Sequence, residues 1–262
     1  MTHAATSRTQ SPTDGDRERA RRRELLRHAG VYLVTEESLS AGRRSEEIAE
    51  AALANGVRVV QVREKDGSGC RALEIALAVR RLTHQFDALM IVNDRIDIAL
   101  AADADGVHLG QSDLPIAEAR RLLGDAALIG LSITDAGQLA SLEAAAADYL
   151  GVGAVFPTGS KADATLTGPA LLEAARVAAD AWAARVPGAG GMPARGPAPI
   201  VAIGGITANN AARAVLAGAD VVAVISAITA APDPGRAAAD LMAAARTALP
   251  RIAAVRPAGV SR

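Results

Sequence analysis

Eight short apolar runs recur along this chain, at Val31–Thr35, Val57–Val62, Leu89–Val92, Gly106–Leu109, Ala127–Leu131, Tyr149–Val152, Ile200–Ile203 and Val221–Ile225. Each is too short for a typical helix and is rich in Val, Ile and Leu, as strands buried on both faces must be. Helical patterns lie between most of them; Ile75, Val79 and Leu82, for example, recur at helical spacing. Asn55-Gly56, Gly124 and Gly218 fall where helix C-caps belong, and Thr134 and Thr207 where N-caps belong. Strands alternating with helices in this way predict an α/β protein, a single (β/α)8 TIM barrel. A doubly wound open sheet is the main alternative. It is disfavoured because no Gly-x-Gly-x-x-Gly fingerprint follows the first run.

The barrel accounts for residues 29–250 of the 262. Residues 1–28 are polar and read as a disordered tail, with helical character over Arg17–Leu26. The Arg21-Arg22-Arg23 cluster is interleaved with Glu18 and Glu24, so it reads as a solvated helix face rather than a nucleic-acid contact. Pro187–Pro199 is rich in Gly, Pro and Ala and reads as a flexible insertion on the strand N-terminal side, with no catalytic role. Arg251–Arg262 reads as a loose tail.

Net charge is −1, which predicts no general attraction to nucleic acid or to an anionic membrane. Aromatics make up only 2% of the chain, which argues against a base-stacking RNA binder. The single Cys70 excludes an intrachain disulfide and a Cys-rich metal site, and reads as a small residue at a helix start. No apolar run approaches the roughly 20 residues of a membrane span. No secretory h-region is present, so a cytoplasmic location is expected. A homo-oligomer is compatible with all of this.

In a barrel, chemistry gathers at the C-terminal ends of the strands, and every polar motif here falls at such an end. After the second run come Gln61, Arg63 and Lys65, on one face by strand alternation, with Val62 and Glu64 on the other. Two cations make a poor core face but a good diphosphate clamp. The competing reading is a salt-bridge network with Glu64. After the third run come Asn93 and Asp94, and after the fourth His108, Gly110, Gln111 and Asp113. Asp94 and Asp113 supply the two hard carboxylates that a magnesium–diphosphate needs. On the residues alone, each serves equally well as a helix cap. His108 reads as a packed, hydrogen-bonded barrel residue.

Ser132 ends the fifth strand, as a contact to a heterocycle or as an ordinary loop hydroxyl. After the sixth, Thr158, Gly159, Ser160 and Lys161 suit a lid over phosphate. Gly204-Gly205 and Ile225-Ser226 end the last two strands, where barrels often bind a monophosphate through backbone N–H groups; a tight turn is the other reading.

Together these residues resemble the thiamine-phosphate synthase family. The resemblance spans Tyr32 to about Ile228 and rests on Tyr32–Thr35, Gln61–Lys65, Asn93–Arg95, Ala104–Gln111, Asp148–Gly153, Thr158–Lys161, Ala202–Ile206 and Ile225–Ile228. It implies a Mg²⁺-dependent transferase that joins a hydroxymethylpyrimidine diphosphate to a thiazole phosphate, giving thiamine phosphate and diphosphate. By position, the resemblance places Gln61, Val62, Arg63, Glu64, Lys65, Asn93, Ser132 and Lys161 at the pyrimidine diphosphate. It puts Mg²⁺ on Asp94 and Asp113. It places Thr158, Gly159, Ser160, Gly205, Ile225 and Ser226 at the thiazole phosphate. Lys161, Ser132 and Arg63 are then the catalytic candidates. Ser160 stands where the family often has Thr, which keeps the hydroxyl. A thiazole tautomerase of the same fold, or a non-catalytic phosphate-binding barrel, would have little use for the clamp and the acid pair.

Overall fold

A computed structural model describes residues 12–65, 67–159, 165–185 and 196–255. In chain order the elements are α1 (Asp14–Arg27), β1 (Val31–Thr35), α2 (Ser45–Ala54), β2 (Val59–Val62), α3 (Gly69–Gln85) and β3 (Leu89–Asn93). Next come α4 (Ile96–Ala101), β4 (Gly106–Leu109), α5 (Ile116–Leu123), β5 (Leu128–Ile133), α6 (Leu142–Ala146) and β6 (Tyr149–Val152). The chain finishes with α7 (Pro169–Arg185), β7 (Ile200–Ile203), α8 (Ala211–Leu216), β8 (Val221–Val224), α9 (Ser226–Thr229) and α10 (Pro234–Val255). All eight strands pair in parallel, each with its sequence neighbours, and β8 closes on β1. The expected (β/α)8 barrel is therefore the fold.

Strand alternation divides the apolar residues into two cores. Val31, Leu33, Val60, Val62, Met90, Val92 and their equivalents point outward and pack against the helices. Tyr32, Val34, Val59, Leu89, Ile91, Leu128, Tyr149, Val201, Val221 and Ala223 point inward and fill the barrel. Uninterrupted apolar strands are what burial on both faces demands. Gly124 and Gly218 take positive φ after α5 and α8, as the C-cap reading expected. The N-cap assignments differ. Asn210, not Thr207, precedes α8, and Asp135, not Thr134, caps the 3₁₀ turn that follows β5. The Asp135 side chain accepts from Gly137 N, so the acid one residue on takes the role expected of the threonine.

The N-terminal segment corrects the disordered-tail reading where it is described. Thr13 and Asp16 form a capping box that starts α1, and Leu26 is fully buried with the inner core. The helix covers the N-terminal end of the barrel by charge rather than by an apolar stripe. Asp105, Asp148 and Asp220 immediately precede β4, β6 and β8. Each accepts a backbone N–H from the neighbouring strand, at Met90, Ile129 and Ile200. Each also accepts a guanidinium from the helix that leads into that neighbouring strand, Arg80 of α3, Arg120 of α5 and Arg176 of α7. Arg22, Arg19 and Arg27 of α1 reach the same three carboxylates, at 3.1, 3.9 and 3.6 Å. Arg23 and Arg27 also donate to the carbonyls of Gly196 and Pro197, so the last residues of the expected flexible insertion are held against α1. Of the Arg21–Arg23 cluster, only Arg21 fits the solvated-face reading, paired with Glu18. Residues 187–195 and 256–262 of the two expected loose segments lie outside the described residues; α10 itself continues through Val255.

Candidate active site

At the C-terminal end of the barrel the strand ends enclose a cleft of about 820 Å³. Gln61, Arg63 and Lys65 line it from β2, and Asn93 and Asp94 from β3. Gln111, Asp113 and Ser132 line the next wall. Thr158 and Gly159 flank it beyond β6, and Gly205, Ile225 and Ser226 close it from β7 and β8. Residues separated by more than 150 positions thus converge because a closed parallel barrel collects its strand ends on one face. Ser160 and Lys161 lie outside the described residues.

Two of the expected contact residues turn their side chains away from the cleft. The Val62 side chain lies in the outer core, and Glu64 turns outward, accepting from Ser45 Oγ at 2.9 Å and from Glu37 N at 3.4 Å. The period-two alternation that puts Gln61, Arg63 and Lys65 in the cleft necessarily takes these two out of it. Burial among neighbours that include the Glu37 carboxylate raises the Glu64 pKa, with desolvation the larger cause.

The charged side chains of the cleft each have a hydrogen-bond partner. Arg63 donates to Glu36, a nearly buried acid just after β1. Lys65 Nζ lies 3.1 Å from Asp94 Oδ2. Asp113 Oδ2 accepts the Gly110 backbone N–H at 2.7 Å. Neither Asp94 nor Asp113 caps a helix: Arg95 and Pro115 hold the cap positions of α4 and α5, with no side-chain bond. Both carboxylates are thus on the cleft wall. Among the described residues no group of three or more His, Cys, Asp or Glu forms a metal cage. Two carboxylates lining one cleft match a hard cation that takes its remaining oxygens from a phosphorylated ligand and water.

Gly204 and Gly205 adopt φ of 98° and 63°, so the tight-turn reading of this pair holds. A Cβ on Gly205 would meet the Pro157 carbonyl oxygen at 2.3 Å, so the glycine also lets the β6 loop approach β7.

Sequence reasoning missed Tyr32, Tyr149 and Glu36. The two tyrosines were the accessible signal. They are the chain's only tyrosines, and alternation turns both inward. His108 is held as expected, by Tyr149 Oη on one ring nitrogen and Ser132 Oγ on the other. Desolvation lowers its pKa to about 4, against a smaller opposing effect of the Asp113 charge, so the ring is neutral at pH 7.

A family model for thiamine monophosphate synthase matches residues 31–228, which is β1 through α9 and every strand end of the cleft. This chain belongs to the thiamine monophosphate synthase family. A thiamine-phosphate synthase of Haloarcula marismortui is 50% identical over 214 residues, 82% of this chain and 95% of that protein. One of Haloquadratum walsbyi is 44% identical over 221 residues, 83% of this chain and 92% of that one. The solved structure of a thiamine phosphate pyrophosphorylase from Pyrococcus furiosus superposes with a TM-score of 0.70 at 35% identity, over 86% of this chain and 99% of that one. The part of the chain matched to the thiamine monophosphate synthase model excludes α1, the helix that seals the opposite end of the barrel.

Proposed function

We propose that the enzyme is a transferase of thiamine biosynthesis that joins 4-amino-2-methyl-5-(diphosphooxymethyl)pyrimidine to a thiazole phosphate, giving thiamine phosphate and diphosphate. The observation that carries this reading is the convergence of Gln61, Arg63, Lys65, Asn93, Asp94, Asp113 and Ser132 on one cleft of a barrel in this family. In this reading Gln61, Asn93 and Ser132 hold the pyrimidine, and Arg63, Lys65 and Lys161 hold its diphosphate. Thr158, Gly159, Ser160, Gly205, Ile225 and Ser226 hold the thiazole phosphate. Asp94 and Asp113 are the residues that would hold Mg²⁺. When bound there, the ion supplies Lewis-acid compensation for charge growing on the leaving diphosphate.

The rest of the work is positioning and electrostatics. The bond between the methylene carbon and the diphosphate oxygen breaks, with its electron pair leaving on oxygen. The thiazole nitrogen lone pair forms the new carbon–nitrogen bond. The amino-pyrimidine stabilises positive charge at the methylene, so departure can precede attack. Arg63 and Lys65 offset the growing negative charge of the leaving group. They are paired with Glu36 and Asp94, which offsets the repulsion between two neighbouring cations. The lining groups orient the two heterocycles and exclude water from the reactive methylene.

A thiazole tautomerase is not favoured, because it would leave the diphosphate clamp and both carboxylates unused. No described helix is long and apolar enough to cross a membrane. A cytoplasmic site of action belongs to the proposal. The test mixes the two purified phosphorylated heterocycles with the enzyme, with and without Mg²⁺. Thiamine phosphate should form only with the metal present; no product under either condition would overturn the reading.

A further inference from the structure

A chain of hydrogen-bonded side chains crosses the barrel interior beneath the cleft. Gln61 Nε2 donates to Tyr32 Oη at 2.7 Å. Tyr32 Oη and Tyr149 Oη are 3.1 Å apart. Tyr149 Oη is 3.1 Å from His108 Nδ1, and His108 Nε2 is 2.9 Å from Ser132 Oγ. Two strand glycines make room for it. A Cβ on Gly130 would sit 2.2 Å from Tyr149 Cζ and 2.6 Å from His108 Nδ1. A Cβ on Gly151 would sit 2.6 Å from His108 Cε1. The ends of the chain are two of the three residues assigned above to the pyrimidine. The three middle members have no role in that assignment.

Proton counting gives the chain a direction. Each tyrosine hydroxyl carries one proton. Tyr32 Oη accepts from Gln61, so its own proton goes to Tyr149. The reverse would leave Tyr32 accepting from both sides, with its buried proton stranded. Tyr149 then donates to His108 Nδ1. An imidazole that accepts at Nδ1 and is neutral carries its proton on Nε2. That proton goes to Ser132 Oγ, which frees the serine O–H to donate into the cleft. At the other end, Gln61 has turned its amide nitrogen inward and keeps its carbonyl oxygen as the acceptor. An aminopyrimidine carries the matching pair, an amino donor and a ring-nitrogen acceptor.

We propose that Tyr32, Tyr149 and His108 are positioning residues that fix the hydrogen-bond polarity of the site, holding Gln61 as an acceptor and Ser132 as a donor toward the aminopyrimidine. This rests on placing the pyrimidine between Gln61 and Ser132. Tyr149→Phe breaks the chain while keeping the ring. His108 is then released to protonate at Nδ1, and Ser132 can turn its proton toward the histidine. The KM for the pyrimidine diphosphate should rise about tenfold, the loss of one oriented hydrogen bond. The KM for the thiazole phosphate should stay unchanged. In ¹⁵N NMR, with His108 assigned by difference against His108→Gln, the wild-type ring should be protonated at Nε2 alone. Tyr149→Phe should mix the tautomers, which a merely structural role would not do. A wild-type ring protonated at Nδ1, or an unchanged KM in Tyr149→Phe, would overturn the proposal. Should that variant not fold, the wild-type spectrum and the kinetics of Tyr32→Phe decide it. Gln61→Ala and Ser132→Ala separate the two levels of inference. If neither raises the KM for the pyrimidine diphosphate, the placement itself fails. If both do and Tyr149→Phe does not, the positioning role alone fails.

Discussion

Lys65 Nζ and Asp94 Oδ2 meet at 3.1 Å across the ends of the adjacent strands β2 and β3. Both groups are partly solvated, so the pair adds little to stability. Its meaning lies in placement, since a cation for the leaving diphosphate stands one hydrogen bond from a carboxylate for Mg²⁺. Asp94 also holds φ of 58°, a conformation rare outside glycine and most tolerable for Asn and Asp. Asp94→Asn should therefore fold normally. It should lower kcat by about 100-fold, as losing one preorganised electrostatic group does. It should also raise the Mg²⁺ concentration needed for half-maximal rate. An unchanged Mg²⁺ titration would remove Asp94 from the proposed metal site.

His108 predicts a pH effect on stability. Its pKa falls from 6.5 to about 4 in the folded protein, mainly by desolvation. Between those values the unfolded chain binds a proton that the folded one does not. Stability is therefore lost as pH falls through that window, by at most about 1.4 kcal/mol per pH unit from this group. His108→Gln removes the contribution. In urea titrations the variant should lose less stability than wild type on acidification from pH about 7 to about 4.5. Equal losses would mean that the ring is not held neutral.

The barrel was legible because eight apolar runs with helical intervals leave few other folds, and the cleft followed because strand ends in such a barrel must converge. Alternation even decided which of Gln61–Lys65 face inward, and Val62 and Glu64 were assigned to the site against it. What stayed hidden depends on pairs far apart in sequence. Nothing near Arg22 announces Asp105, and nothing near Tyr32 announces Tyr149; both contacts exist only once the barrel has closed. The polar composition of residues 14–27 suggested disorder because its partners are buried carboxylates rather than an apolar surface.

Strand facing gives a direct comparison. Gln61→Ala should raise the KM for the pyrimidine diphosphate about tenfold, as expected for one lost hydrogen bond and its unpaired partner. Glu64→Gln, one pleat and three residues away, should leave both KM values and kcat at wild-type levels, because its carboxylate serves Ser45 and Glu37 outside the cleft. Steady-state kinetics on the two variants decides. A kinetic defect in Glu64→Gln would restore that residue to the site.

The far end of the barrel predicts stability without catalysis. Asp105 is nearly buried and joins Arg22 of α1, Arg80 of α3 and the Met90 N–H of β3. Asp105→Ala removes the acceptor shared by Arg22, Arg80 and the Met90 N–H, leaving Arg22 with Glu18 and Arg80 with the exposed Asp103. Breaking a buried pair in this way costs about 3–5 kcal/mol. In a chain of this size each kcal/mol lowers Tm by about 2–4 °C. Arg21→Ala, on the exposed side of the same helix and paired with Glu18, should change stability by less than about 0.5 kcal/mol. Both variants should keep wild-type KM values, because the carboxylate sits before β4 and the cleft lies beyond its other end. Thermal melts should show a large loss for Asp105→Ala and almost none for Arg21→Ala. Equal melts would mean that α1 rests on the barrel without being held there by its arginines.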